Sequence, residues 1–235
     1  MSFETVRPVY AKVDEEKFEF RGTGFFIEHD NEQYFITAKH VSDTGQLFIY
    51  NADPNRILPE GVDKGFYPIS SALIEIRLVE SSDVSDLAIL KCDELRVESP
   101  LTISEEALSS GREVLTIEHA QFRENRQITH VHIDEGVSIR RGHIVRLLSS
   151  EHDEFNREGS FEVSFPAPKG ASGAPVVAVG GAENGEVIGV IIGSATYDLE
   201  PIVSAAGDRE DVRYQLPAGI AISAEKLTSL LSSIT

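Results

Sequence analysis

Apolar residues along this chain fall in short runs rich in β-branched and aromatic side chains, broken by glycine, proline and polar clusters. Residues 33–37 (QYFIT) suit a pleated, half-buried surface and predict a strand. Runs at 18–20, 24–27, 46–50, 69–79 and 87–90 extend the same reading through the first half. Residues 51–65 carry Pro54, Pro59, Gly61 and Gly65 and read as a loop. A polar stretch at 91–110 separates the halves, with a helical turn expected at 105–108. Strands follow at 113–118, 127–133, 136–140, 143–148, 160–165, 175–179 and 187–192. Asn184-Gly185 predicts a two-residue hairpin turn between the last two, since both central positions of such a turn need positive φ. At 223–231 (SAEKLTSLL) the period changes: Ser223 is placed as an N-cap, and Leu227, Leu230 and Leu231 share one helical face. Many short strands joined by turns imply barrels or a sandwich, and the pattern alone leaves both open.

The bulk composition narrows the picture. A chain of 235 residues suits one two-lobed domain and buries enough surface to do without disulfides. Lys and Arg number 21 against 39 Asp and Glu, a formal charge of 21 − 39 = −18. Such a surface repels nucleic acid and anionic membranes, so neither is expected as a partner. Cys92 is the one cysteine, which excludes an intramolecular disulfide, and its place after an apolar run marks a small core residue rather than a nucleophile. The first residues lack a basic start followed by an apolar stretch, and no window approaches a membrane span. A cytoplasmic setting is expected.

Three segments carry chemistry. Thr37-Ala38-Lys39-His40-Val41 follows the QYFI run; Ser85-Asp86-Leu87-Ala88-Ile89-Leu90 puts an acid at the mouth of an apolar strand; Lys169-Gly170-Ala171-Ser172-Gly173-Ala174-Pro175 puts a serine in a glycine-rich turn. Acyl transfer needs an attacking hydroxyl, a base that titrates near neutrality, a carboxylate to orient that base, and two N–H groups to hold the oxyanion. Ser172, His40 and Asp86 fill the first three roles, and the amides of Gly170 and Ser172 the last. All seven histidines precede Ser172, the last being His152, so a triad on Ser172 cannot follow the Ser–acid–His order of α/β-hydrolases. Asp83 is the rival to Asp86, but Asp86 alone directly precedes the apolar run.

These segments resemble the trypsin/chymotrypsin-like peptidase superfamily, in the style of bacterial HtrA-type catalytic domains. TAKHV is similar to its histidine motif, SDLAIL to its aspartate motif and GASGAPVV to its G-x-S-G-x-P serine motif. Gly22-Thr23-Gly24-Phe25 resembles the G-S-G-F strand before the histidine, Glu186-Val187-Ile188-Gly189-Val190 the strand leading to the substrate segment, and Gly219-Ile220-Ala221-Ile222 the ending before a helix. The resemblance implies an all-β fold of two six-stranded antiparallel Greek-key β-barrels with a C-terminal α-helix. It implies a single peptidase domain over 1–235, with lobes at about 1–100 and 110–222 and the helix at about 223–233. It implies serine endopeptidase chemistry on a protein or peptide substrate, without metal or cofactor. It places a specificity pocket at Pro166, Ala167, Pro168 and Lys169, with Ile192, Gly193 and Ser194 as the substrate-pairing edge. No acid stands there, so the residue before the cleaved bond is expected to be uncharged and small to medium in size.

Departures are Lys39 for a small residue, Ala174 for a frequent glycine, and Ala171 for the aspartate that in trypsin pairs with a freed N-terminus. The last speaks against zymogen activation of that kind. A silent or partner-activated binding module is the alternative function. His130 and His132 alternate as a weak metal pair, whereas His29, His119, His143 and His152 read as surface residues.

Overall fold

The computed structural model describes residues 3–13, 18–43, 45–50, 73–119, 137–148, 158–181, 185–199 and 214–234. The first barrel contains β1 (Val6–Lys12), β2 (Phe18–His29), β3 (Glu32–Ala38), β4 (Leu47–Tyr50), β5 (Leu73–Ser82) and β6 (Leu87–Lys91), in ring order β1-β2-β3-β6-β5-β4. The second contains β7 (Glu113–His119), β8 (Val137–Leu147), β9 (Ser160–Val163), β10 (Pro175–Ala178), β11 (Val187–Leu199) and β12 (Tyr214–Ser223), in ring order β10-β11-β12-β9-β8-β7. Neighbouring strands pair antiparallel, and the β1–β4 and β7–β10 ladders close the rings. Closure satisfies the edge strands and decides for barrels over a sandwich.

The apolar runs fill these barrels. Phe25, Phe26, Ile27, Phe35, Ile36, Ile49, Leu87, Ile89 and Leu90 have essentially no solvent exposure. Phe26 and Phe35 meet edge to face, their centroids 5.0 Å apart. Asp30 and Asn31, with φ of 51° and 63°, form the two-residue turn between β2 and β3, a turn whose paired positive φ values suit these side chains.

Several expectations are corrected. The runs at 18–20 and 24–27 belong to one continuous strand, β2, and those at 136–140 and 143–148 to β8. β1, with Pro8 inside it, is an additional strand that the apolar pattern did not announce. No helix forms at 105–108, which is irregular and follows a strap at 101–104. Leu101 N donates to Phe26 O at 2.9 Å, and Ser104 N donates to Val187 O at 2.9 Å, so the strap is pinned to each barrel in turn. The β10–β11 hairpin forms, but across residues 179–186 rather than two; Gly185 N reaches Ala178 O. The loop at 51–65, the strand at 127–133, and His130, His132, His152 and Asn184 lie outside the described residues.

The closing helix, α2 (Ala224–Leu231), buries Ala224, Leu227 and Leu231 against β11, β12 and β5. Ser223 stands at its N-cap, yet its buried hydroxyl makes no cap hydrogen bond. Among the described residues no helix is long and apolar enough to cross a membrane.

Candidate active site

β3 and β6 pair in the register Ala38 with Leu87, so the residues just past β3 lie beside those just before β6. Past β3 comes the single helical turn α1 (Lys39–Ser42), which carries His40; before β6 comes Asp86. Lys39 N donates to Asp86 O at 2.8 Å and His40 N to Asp86 Oδ1 at 3.0 Å. His40 Nδ1 lies 2.8 Å from Asp86 Oδ2. An ionised carboxylate only accepts, so Nδ1 carries the proton and Nε2 of the neutral ring keeps its lone pair. Asp86 adopts φ of 54°, sparsely populated outside glycine, and the three hydrogen bonds hold it there. Its side chain is 7% exposed, whereas that of His40 is 47% exposed.

The rival acid behaves differently. Asp83 is 89% exposed and its Oδ1 lies 3.0 Å from Lys39 Nζ. Lys39 also meets Asp43 at 2.7 Å, and hydrogen bonds to Asp43 and Asp83 push its pKa up. Lys39, in the place of a small residue, thus bridges the His40 turn and the loop before Asp86.

The serine loop is built from backbone. Ala171 N donates to Pro168 O at 2.9 Å and Gly170 has φ of +99°, the marks of a type II turn with glycine at its third position. Gly173, with φ of +88°, donates to Ile191 O at 2.7 Å, and Ala174 N donates to Ala171 O at 2.9 Å. A β-carbon on Gly173 would collide with Thr23 O and Thr37 Oγ1 and lie 3.0 Å from Ala38 N. The loop is therefore seated on the end of β3, next to the turn of His40. Gly22 confirms the seating, since a β-carbon there would lie 2.7 Å from Ser172 O and 2.8 Å from Val41 Cγ2. Ser172 itself is half-buried, and its hydroxyl makes no hydrogen bond to His40 among the described residues. His40 and Asp86 are joined; Ser172 is brought alongside.

The expected specificity segments also meet. Ser194 Oγ donates to Ala167 O at 2.5 Å, tying the edge at Ile192, Gly193 and Ser194 to the wall at Pro166, Ala167 and Pro168. The register between β11 and β12 slips between Ile191 and Gly193, so Ile192 sits at a bulge and is buried. Lys169 is exposed.

The family model of the trypsin-like peptidase domain matches residues 22–190, more than half of the chain. The chain belongs to the trypsin-like peptidase domain family. No curated protein matches it. Among solved structures, HtrA-type protease AlgW with a decapeptide is 16% identical, covering 98% of this chain and 64% of that one, with a TM-score of 0.61. This chain therefore spans less than two thirds of AlgW's length. The Rv3671c protease from M. tuberculosis, active form, is 18% identical, covering 98% of this chain and 81% of that one, with a TM-score of 0.62. At these identities the likeness is one of fold.

Two residues of this trypsin-like domain were not anticipated at its site. His119 is not a surface residue: it is 7% exposed, with its Nε2 3.3 Å from Val6 O. Burial lowers its pKa to about 4, so it sits neutral between the barrels. Thr23 lies fully buried between Ser172 and His119. It appears in the GTGF motif, but nothing in the motif indicates what its hydroxyl meets. Cys92 is partly buried against the core, and burial raises its pKa, as suits an inert thiol. Among the described residues no cluster of three His, Cys, Asp or Glu side chains is placed to hold a metal.

Proposed function

We propose that the chain is a serine endopeptidase working through an acyl-enzyme, with Ser172 as nucleophile, His40 as base and Asp86 as its orienting carboxylate. The observation that carries this reading is the His40 Nδ1–Asp86 Oδ2 contact of 2.8 Å, with the Ser172 loop seated on the strand that leads to His40. His40 Nε2 takes the Ser172 proton as Oγ attacks the scissile carbonyl, and later returns it to the leaving amine. Asp86 holds the tautomer and stabilises the imidazolium. Water then repeats the sequence on the acyl group.

The oxyanion site follows from the loop's hydrogen bonds. The amides of Ala171, Gly173 and Ala174 are used within the second barrel, whereas those of Gly170 and Ser172 have no partner among the described residues. These two N–H groups are the donors for the developing oxyanion. The Ser194–Ala167 bond ties the two segments together, and no acid stands at 166–169 or 192–194, which favours a small, uncharged residue before the cleaved bond. The substrate is a protein or peptide; AlgW has been solved with bound peptides, and we extend that substrate class to this chain. The setting is cytoplasmic, with no metal, cofactor, nucleic acid or membrane required.

One observation favours a second reading. With no Ser172–His40 hydrogen bond, a silent module, or one activated by a regulatory protein partner, fits the resting site. A fluorophosphonate probe separates the readings. Labelling of the purified chain, lost in Ser172→Ala, is the expected result. Absence of labelling without additives would leave the silent or partner-activated module.

A further inference from the structure

We infer that Thr23, a residue of the first barrel, is the positioning residue that sets the two oxyanion donors carried by the second; the inference rests on the serine-peptidase reading above. Thr23 is fully buried on β2, and each of its polar atoms is engaged. Its N–H donates to Ser172 O at 2.9 Å, and its hydroxyl donates to Gly170 O at 2.7 Å. The same hydroxyl accepts from His119 N at 3.0 Å, and its carbonyl accepts from Thr37 Oγ1 at 2.7 Å.

The consequence is geometric. A peptide plane is rigid, so fixing its carbonyl fixes the N–H of the following residue. The plane between Gly170 and Ala171 is held at one end by the Thr23 hydroxyl and at the other by Pro168 O. The plane between Ser172 and Gly173 is held by Thr23 N and by Ile191 O. The plane bearing the Ser172 N–H lies between these two held planes, which fix the ends it spans. The plane bearing the Gly170 N–H adjoins the first of them. Type I and type II turns differ by a flip of that plane, and the flip reverses where the Gly170 N–H points. That flip turns on ψ of Lys169 and φ of Gly170 while the Gly170–Ala171 plane stays put, so Thr23 holds the frame beside the flipping plane, and Gly170 stands at φ of +99°. The contact crosses from one barrel to the other, so docking of the barrels becomes a condition for a competent Ser172. His119, bonded through its backbone to Thr23 and through its ring to Val6 O, holds the same seam.

The variants are Thr23→Val, which keeps shape and removes the hydroxyl, and Thr23→Ser, which restores it. Both are compared with wild type below their melting temperatures, by the rate of fluorophosphonate labelling and by hydrolysis of a p-nitrophenyl ester. Loss of one direct oxyanion donor costs roughly 10²–10³-fold in turnover, so loss of a group that only aims the donors is expected to cost about 10–100-fold. The loss should fall on kcat with KM little changed, and Thr23→Ser should recover to within about threefold of wild type, which general destabilisation would not produce. If wild type labels, Ser172→Ala does not, and Thr23→Val reacts as fast as wild type, the inference is overturned while the peptidase reading stands. If wild type itself fails to react, the peptidase reading falls, and a crystal structure of Thr23→Val decides the positioning. A turned Lys169–Gly170 peptide upholds it; an unchanged Gly170 overturns it.

Discussion

The His40–Asp86 corner and the Ser172 loop are assembled by opposite means. The corner lies within one barrel: two strands in register bring its partners together, and side-chain and backbone hydrogen bonds close it. The loop belongs to the other barrel and is shaped by glycine backbone, internal turns and two bonds to Thr23 across the seam. The bonds that join His40 to Asp86 thus lie within the first barrel, whereas two that hold the Ser172 loop cross to Thr23 of the other.

The largest expected effect is that of Ser172→Ala, which should lower kcat by roughly 10⁶-fold, as triad knockouts do in another serine protease. It should leave the His40–Asp86 contact intact, visible as a downfield Nδ1 proton by NMR. Asp86→Asn should cost about 10⁴-fold by fixing the wrong tautomer, as in the analogous triad, and should abolish that proton. Asp83→Asn should change turnover little; equal losses in the two variants would contradict the assignment of Asp86. Gly173→Ala sharpens the contrast further. It places a β-carbon against Thr23 and Thr37 at positive φ, so labelling of Ser172 should fall by at least about 10²-fold, on the scale of lost oxyanion stabilisation, while the downfield proton persists. Loss of both would show that the corner also depends on docking.

A smaller effect concerns the seam. The pKa of His119 falls from 6.5 to about 4 on folding. Between these values the unfolded chain binds more protons than the folded one, so stability declines as pH drops through this window. The gap corresponds to about 3 kcal/mol, measurable by denaturant unfolding at several pH values. Glu118, whose pKa burial raises, acts in the opposite sense, so comparison of wild type with His119→Gln isolates the histidine. An unchanged pH slope in that variant would remove His119 from the account. Lys39→Ala is the mildest test: its ion pairs with Asp43 and Asp83 reach exposed partners, and turnover should fall by no more than about threefold.

Much of this was legible beforehand. The strands carrying His40 and Asp86 were apparent because apolar runs such as QYFIT and LAIL have one stable use, the inside of a sheet. The glycines around Ser172 announced a sharp turn, and two of them take the positive φ that turn requires. The misreadings arose where local composition competes with long-range contacts. Residues 105–108 follow a strap pinned to both barrels. Pro8 obscured a strand that pairs on both sides. His119 reads as a surface residue in the sequence, but it is buried, with its ring against Val6 O of the other barrel.

Side-chain periodicity, turn residues and the order of three short motifs, all properties of neighbouring positions, determined the strand content, the closing helix and the residues to examine. The ladders that close each barrel, the Asp86–His40 contact beside an exposed Asp83, and the bonds of Thr23 across the seam came only with the tertiary structure. They depend on pairings between residues far apart in the chain, such as Thr23 with Gly170, and local propensity does not encode which distant groups will share a hydrogen bond.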